Sequence, residues 1–267
     1  MKHDHKPPVT SESDWLRPDL RLEGVQALMT TRRGGVSAGA FESMNLRDGL
    51  GDDASAVARN LALLASAVGA SPVRLNQVHG TRVVRLTKAD AAPGALQHDA
   101  DACVTTEPGI VCSIQVADCL PVLFAAPGAV AAAHAGWRGL AAGVLEATLA
   151  ALCEAGSCKP DQVAVWLGPC IGPRRFEVGA DVLEAFGVSS AATLSSDTTP
   201  EPARFAPLKA GKWLADLPGL ARDRLSACGV KALSGGTWCT ASDASRFFSF
   251  RRDGVTGRMV AAVWLAG

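Results

Sequence analysis

Apolar and polar positions alternate along this chain in two distinct rhythms. From Asp52 the residues Val57, Leu61, Leu64 and Val68 recur at helical spacing, with Asp52, Asp53 or Ser55 available as a cap and Gly69 as a stop. Elsewhere the apolar positions come in short dense runs, at 73–86, 102–105, 110–116, 121–125 and 130–133, separated by Gly, Pro or Asp. Such runs predict buried strands. A further strand is expected near 24–30, followed by a loop over 31–39 in which Gly34-Gly35 opens backbone angles closed to other residues. Residues 139–155 are rich in Ala and Leu, lack Pro and stop at Gly156, which predicts a helix entered directly from the strand before it. Beyond it the pattern predicts a strand at 163–167, a short helix at 179–186 and an irregular polar insert at 189–206. A helix is expected at 212–228, kinked or restarted at Pro218, and a terminal hairpin of 247–251 with 258–265 around Asp253-Gly254. With residues 1–12 read as a disordered tail and no repeat or linker in the remainder, the expectation is one α/β domain over 13–267.

Composition narrows the function classes. The chain has 267 residues, 48% of them hydrophobic, and balances 26 Lys and Arg against 26 Asp and Glu. It can bury a large core, and it carries no overall field that would attract nucleic acid or anionic lipid. The first eight residues contain no apolar stretch of a signal peptide. The most apolar segment, 122–137, is interrupted by Pro127, Gly128 and His134. The expectation is a cytoplasmic protein, with no membrane or nucleic-acid partner and mostly reduced cysteines.

Candidate chemistry lies in three dense words: Asn76-Gln77-Val78-His79-Gly80, Ala117-Asp118-Cys119-Leu120-Pro121 and Ala133-His134-Ala135-Gly136-Trp137-Arg138-Gly139. Two imidazoles and a thiolate converging from different strands would hold zinc and leave a fourth position open, the pattern of a catalytic site. Each residue also has an ordinary reading. His79 before a glycine suits a turn, His134 at the end of an apolar run would be satisfied by a core hydrogen bond, and Cys119 could be a small buried hydrophobe. The remaining cysteines, at 103, 112, 153, 158, 170, 228 and 239, have no His or acid at a metal-ligand spacing.

Further words complete a pattern: Thr31-Arg32-Arg33-Gly34-Gly35-Val36-Ser37, Met44-Asn45-Leu46, Gly51-Asp52-Asp53, Leu167-Gly168-Pro169-Cys170-Ile171-Gly172-Pro173, Phe176-Glu177-Val178-Gly179, and Arg251-Arg252-Asp253-Gly254 with Thr256-Gly257-Arg258. Through them the chain resembles, over about residues 28–265, the family of laccase-domain proteins typified by bacterial YfiH. The resemblance implies a YfiH-like α/β sandwich of mixed sheet and helices. It also implies purine nucleoside phosphorylase activity, with adenosine deamination and methylthioadenosine phosphorolysis in the same site, and zinc held by His79, Cys119 and His134. Two departures from the family pattern, Arg47-Asp48-Gly49-Leu50 after Asn-Leu and Ala241 after Cys-Thr, bear on the base pocket rather than on the metal.

Phosphorolysis of a purine nucleoside needs positive groups at the anomeric carbon. Arg138 near a helix start and Arg32 beside Gly34-Gly35 are the candidates for phosphate, with a surface salt bridge as the alternative for each. Asp118 is the nearest acid in sequence to Cys119, either a proton shuttle or a turn cap, and Asn45 is a possible nucleoside contact. A different class remains, a Cys119 thiol hydrolase with a histidine base acting on nucleotide-linked peptidoglycan precursors. Copper-dependent phenol oxidation fits poorly, because only five histidines are present and His3 and His5 fall in the tail. Met1-Lys2-His3 is itself expected to hold some Cu(II) adventitiously. Oligomeric state is not legible.

Overall fold

The computed structural model of the protein describes residues 14–189 and 204–267. The expected N-terminal tail, including His3, and most of the polar insert lie outside the described residues. In chain order the first elements are β1 (Val25–Met29), α1 (Ala54–Val68), β2 (Pro72–Val73), β3 (Val83–Arg85), β4 (Ala102–Thr105), β5 (Val111–Val116), β6 (Leu120–Ala126) and β7 (Ala129–Ala135). There follow α2 (Trp137–Ala142), α3 (Val144–Gly156), β8 (Ala164–Leu167), β9 (Glu177–Val178) and α4 (Ala180–Ala185). The chain closes with β10 (Phe205–Lys209), β11 (Lys212–Ala215), α5 (Leu217–Ala227), β12 (Ala232–Gly235), α6 (Phe250–Asp253) and β13 (Met259–Leu265).

Two mixed sheets stack face to face. One has the strand order β12-β8-β6-β7-β4-β3, the other β1-β13-β5-β2. Between them pack Cys103, Leu123, Ala125 and Ala132 of the first sheet and Ile114, Met259, Ala261 and Val263 of the second. The opposite side of the six-stranded sheet, through Val104, Val122, Phe124 and Ala131, is covered by Leu145, Leu149 and Leu152 of α3 and Leu225 of α5. Leu64 and Val68 of α1 close the outer side of the four-stranded sheet over Leu28, Val111, Val260 and Ala262. The result is a four-layered α/β/β/α sandwich, the expected fold class. A sheet covered on both faces has no polar side, which is why β6 and β7 are buried at every residue and apolar at every residue but His134. Truncating a fully buried side chain such as Phe124 to Ala would cost about 3–5 kcal/mol by transfer and cavity terms together. A small third sheet, β10-β11-β9, flanks this core.

Helix α1 starts where Asp53 accepts hydrogen bonds from the amides of Ser55 and Ala56 and ends at Gly69, whose φ is 72°. Both termini agree with the sequence expectation. Four other expectations need correction. The run 73–86 is two short strands in different sheets, β2 beside β5 and β3 beside β4, with the His79 word looping between them. The helix expected at 139–155 begins at Trp137 and divides at Gly143, which adopts φ 100° between α2 and α3. Residues 212–215 form β11, since Trp213 pairs with Val178, and Pro218 sits in the first turn of α5, where its missing N–H has no intrahelical partner to lose. The terminal hairpin does not form. Residues 250–253 are α6, and β13 pairs between β1 and β5 instead. Sequence-distant pairing overrode the local turn signal there. No helix among the described residues is long and apolar enough to cross a membrane.

Candidate metal centre

The hairpin β6–β7 creates the site. Its two-residue turn at Pro127-Gly128 fixes a register in which Leu120 faces Ala135 and Pro121 faces His134. Cys119, just before β6, therefore meets His134, near the end of β7. Antiparallel pairing of β4 with β7 places Ala102 opposite Ala133, so Asp101 lies beside His134, and its carbonyl accepts the His134 amide at 2.7 Å.

His79 comes from the loop between β2 and β3. The loop is wrapped around the carboxylate of Asp101, which accepts the amides of Val78 at 3.2 Å, His79 at 2.9 Å and Gly80 at 2.6 Å. His79 is held at φ 63°, a left-handed conformation rare outside glycine and often found at functional sites. The same carboxylate accepts the Nδ1–H of His134 at 2.8 Å, with both groups almost wholly buried. That bond fixes the tautomer of His134 and leaves Nε2 free to ligate. Gln77 docks the loop on β5 by exchanging two hydrogen bonds of 2.8 Å with the backbone of Gln115.

The donor atoms of His79, Cys119 and His134 all lie within 4.8 Å of one another, and the Cys119 Sγ is 3.9 Å from His79 Nε2. Tetrahedral zinc, with bonds of roughly 2.0–2.3 Å, requires donors about 3.3–3.8 Å apart, so the Cys119–His79 separation is close to that of a bound ion and the widest pair would draw in by about 1 Å on binding. Gly136 keeps the space between them open: a Cβ there would lie 2.8 Å from His79 Cδ2 and 3.2 Å from the Cys119 Sγ. Two imidazoles and a thiolate around a cradle kept clear by a glycine fit a soft or borderline metal with one open position. Electrostatics agree. Burial opposes the charged form of Cys119, but the His134 charge and hydrogen bonds from both histidines bring its thiol down from 9.0 to about 6. Burial likewise opposes protonation of His134, yet the Cys119 thiolate and Asp101 raise it to about 9. Burial also pushes Asp101 up, and is outweighed by the His134 and backbone hydrogen bonds that hold it below the ordinary carboxylate value.

The cluster opens into a cavity of about 240 Å³ whose walls include Arg47, Gln77, Gln115, Phe250 and Arg258. The other sequence candidates are not part of its lining. Asp118, at φ 90°, turns its carboxylate to the Thr240 hydroxyl at 2.5 Å and the Arg251 amide at 2.7 Å, so it braces the turn. Arg32 donates to the carbonyls of Glu42 and Ala244 and stacks on Phe248. Arg138 stacks on Trp137 and lines a neighbouring cavity with Lys212 and Arg251. Asn45 is fully buried beneath Arg47 and Arg258. Of the two departures from the family pattern, Arg47 lines the cavity and Ala241 is packed in the core. Sequence reasoning assigned no site role to Asp101, Phe250 or Arg258, and reached Arg47 only as a departure from the family pattern at the base pocket. An acid at the head of the apolar run 100–105 was the available signal for Asp101.

Fold and site together define an α/β sandwich protein with three side chains, His79, Cys119 and His134, that could hold a metal ion, the one such group among the described residues. The chain belongs to the family described as multi-copper polyphenol oxidoreductase laccase, whose sequence pattern matches residues 26–266. It is 46% identical over 255 residues to a purine nucleoside phosphorylase of Pseudomonas aeruginosa, covering 94% of this chain and 98% of that one. It is 44% identical to the purine nucleoside phosphorylase YfiH of Escherichia coli, covering 94% and 96%. Two crystal structures are similar along nearly their whole length. A Neisseria meningitidis protein has a TM-score of 0.84 at 44% identity, covering 95% of this chain and 100% of that one. YlmD of Geobacillus stearothermophilus has 0.85 at 31%, covering 98% and 100%.

Proposed function

We propose that this chain is a zinc-dependent purine nucleoside phosphorylase, with adenosine deamination and methylthioadenosine phosphorolysis in the same cavity. The observation that carries the reading is the cluster of His79, Cys119 and His134 opening into one cavity that also presents two guanidinium groups and an aromatic ring. Zinc bound there would supply Lewis acidity and lower the pKa of water for deamination. The chain's own residues do the rest. Phe250, 58% exposed, offers a face on which a purine stacks, and Arg47 and Arg258 supply positive charge for phosphate. In phosphorolysis a phosphate oxygen bonds to the anomeric carbon as the N-glycosidic bond breaks, and the purine leaves with the bonding pair and takes up a proton. Asp101 keeps His134 in one tautomer throughout.

The test is phosphate-dependent release of free base from adenosine and inosine by zinc-loaded protein. Base should appear only with phosphate and vanish in Cys119→Ala and His79→Ala. Absence of base from the unaltered protein would sink the reading.

One arrangement favours a second reading. Asp101, His134 and a thiol drawn down to about 6 follow the order of a Cys-His-Asp nucleophilic site, which would suit a thiol hydrolase of nucleotide-linked peptidoglycan precursors. Activity that survives chelation and is abolished by alkylation of Cys119 would select it; activity lost on chelation and restored by zinc selects the phosphorylase.

A further inference from the structure

We propose that Arg47 and Arg258 form a paired-guanidinium subsite for a tetrahedral phosphoryl dianion beside the His79, Cys119 and His134 cluster. The inference rests on the phosphorylase reading only for its biological use, not for its chemistry.

Both arginines line the same cavity as the metal cluster, and among the described residues neither forms a salt bridge. The acids next to Arg47 in sequence are committed elsewhere. Asp48 pairs with Arg74 at 3.3 Å, and Asp52 accepts from the Ser37 hydroxyl, the Asn45 amide and the Asp53 backbone. Two like charges facing each other in a partly buried wall are unfavourable unless an anion joins them. In keeping with that, burial and then the charge of Arg47 act against the charged form of Arg258 and outweigh the support it draws from Cys119 and Asp118.

The pairing is built by the fold. Asn45, fully buried, accepts the backbone amides of Arg47 at 3.1 Å and Arg258 at 2.9 Å on its Oδ1, and its Nδ2 donates to the Arg47 carbonyl at 3.0 Å. The Leu46 amide adds a bond to the Arg258 carbonyl at 3.1 Å. Gly257 allows this approach, since a Cβ there would lie 2.9 Å from the Asn45 Cβ and 2.8 Å from the Phe248 ring. Arg258 is oriented by donating to the carbonyls of Thr256 and Gly257 and by the Phe250 ring 5.8 Å away. Among the described residues the Arg47 guanidinium makes no hydrogen bond, so its fork is available to a ligand oxygen.

The dianion has two sources, inorganic phosphate and the phosphoryl group of a nucleoside monophosphate. Isothermal titration calorimetry of the full-length, zinc-loaded chain separates them, with inorganic phosphate, adenosine and adenosine 5′-monophosphate as probes in turn. Arg47→Gln should weaken binding of the phosphoryl ligand at least tenfold, with part of the affinity recovered in Arg47→Lys and no change in melting temperature. Arg258→Gln should weaken it comparably; should that variant fold poorly, the Arg47 pair still decides. Phosphate binding without a monophosphate advantage over adenosine assigns free phosphate. A tenfold advantage of the monophosphate, lost in Arg47→Gln, assigns the nucleotide. Affinity for both probes unchanged in Arg47→Gln, or no binding of either to the unaltered chain, overturns the proposal. Arg47-dependent binding without base release would defeat the phosphorylase reading and leave the subsite standing, whereas base release with Arg47-independent binding would do the reverse.

Discussion

Asp101 and His134 meet through a 2.8 Å hydrogen bond in which neither partner is more than 4% exposed, and the same carboxylate holds the backbone of the His79 loop. One buried acid thus positions two of the three candidate ligands. Asp101→Asn can no longer accept all four hydrogen bonds and is expected to lower zinc affinity about 10–100-fold, the range for loss of a ligand-orienting carboxylate. Competition with a chromophoric chelator would measure it. Unchanged affinity in a variant whose melting temperature has fallen would assign Asp101 a purely structural role.

Gly136→Ala tests the cradle. The glycine has φ −65° and ψ 157°, angles open to alanine, so any effect arises from the added methyl and not from backbone strain. That methyl would be forced against His79 and the Cys119 sulfur. The expected outcome is a folded protein with native circular dichroism that no longer retains stoichiometric zinc on a desalting column.

In metal-free protein, Cys119 should react with iodoacetamide with a midpoint near pH 6 and not 9.0, because His134 stabilises its thiolate. The sign is fixed: a lowered pKa keeps the nucleophile present above the midpoint and removes it below. His134, raised to about 9, keeps its charge across that window. Bound zinc should suppress the reaction at every pH. A midpoint near 9 in the metal-free protein would show that the two groups do not interact.

Asn45→Ala would orphan the part-buried amides of Arg258 and Arg47, at roughly 1–3 kcal/mol for each group left unpaired, and remove one of the three hydrogen bonds that Asp52 accepts. Chemical denaturation should show the loss as a lower midpoint at unchanged slope. Zinc stoichiometry should be retained, since none of the three ligands touches Asn45.

The sequence by itself determined the covered sheets, the termini of α1 and the three words that carry the candidate metal ligands. Those signals are local. Continuous apolar strands report burial on both faces, Asp53 and Gly69 report helix ends, Cys119 and His134 stand out where polar chemistry interrupts an apolar strand end, and His79 stands out before a glycine in the loop between β2 and β3. Tertiary structure decided everything that depends on register. Whether residues 258–265 turn back on 247–251 or slot between β1 and β5 is a competition between one turn and two long ladders, and the ladders also bury both faces of β13. The same holds in the site. Asp118 adjoins Cys119 in sequence yet turns away, because a residue at φ 90° in a tight bend directs its side chain to Thr240. Asp101 is 22 residues from His79 and 33 from His134, and only the pairing of β4 with β7 brings it between them. Ligand types are written in the chain; the partners that orient them, and the two arginines that Asn45 sets side by side, exist only once the strands have chosen their neighbours.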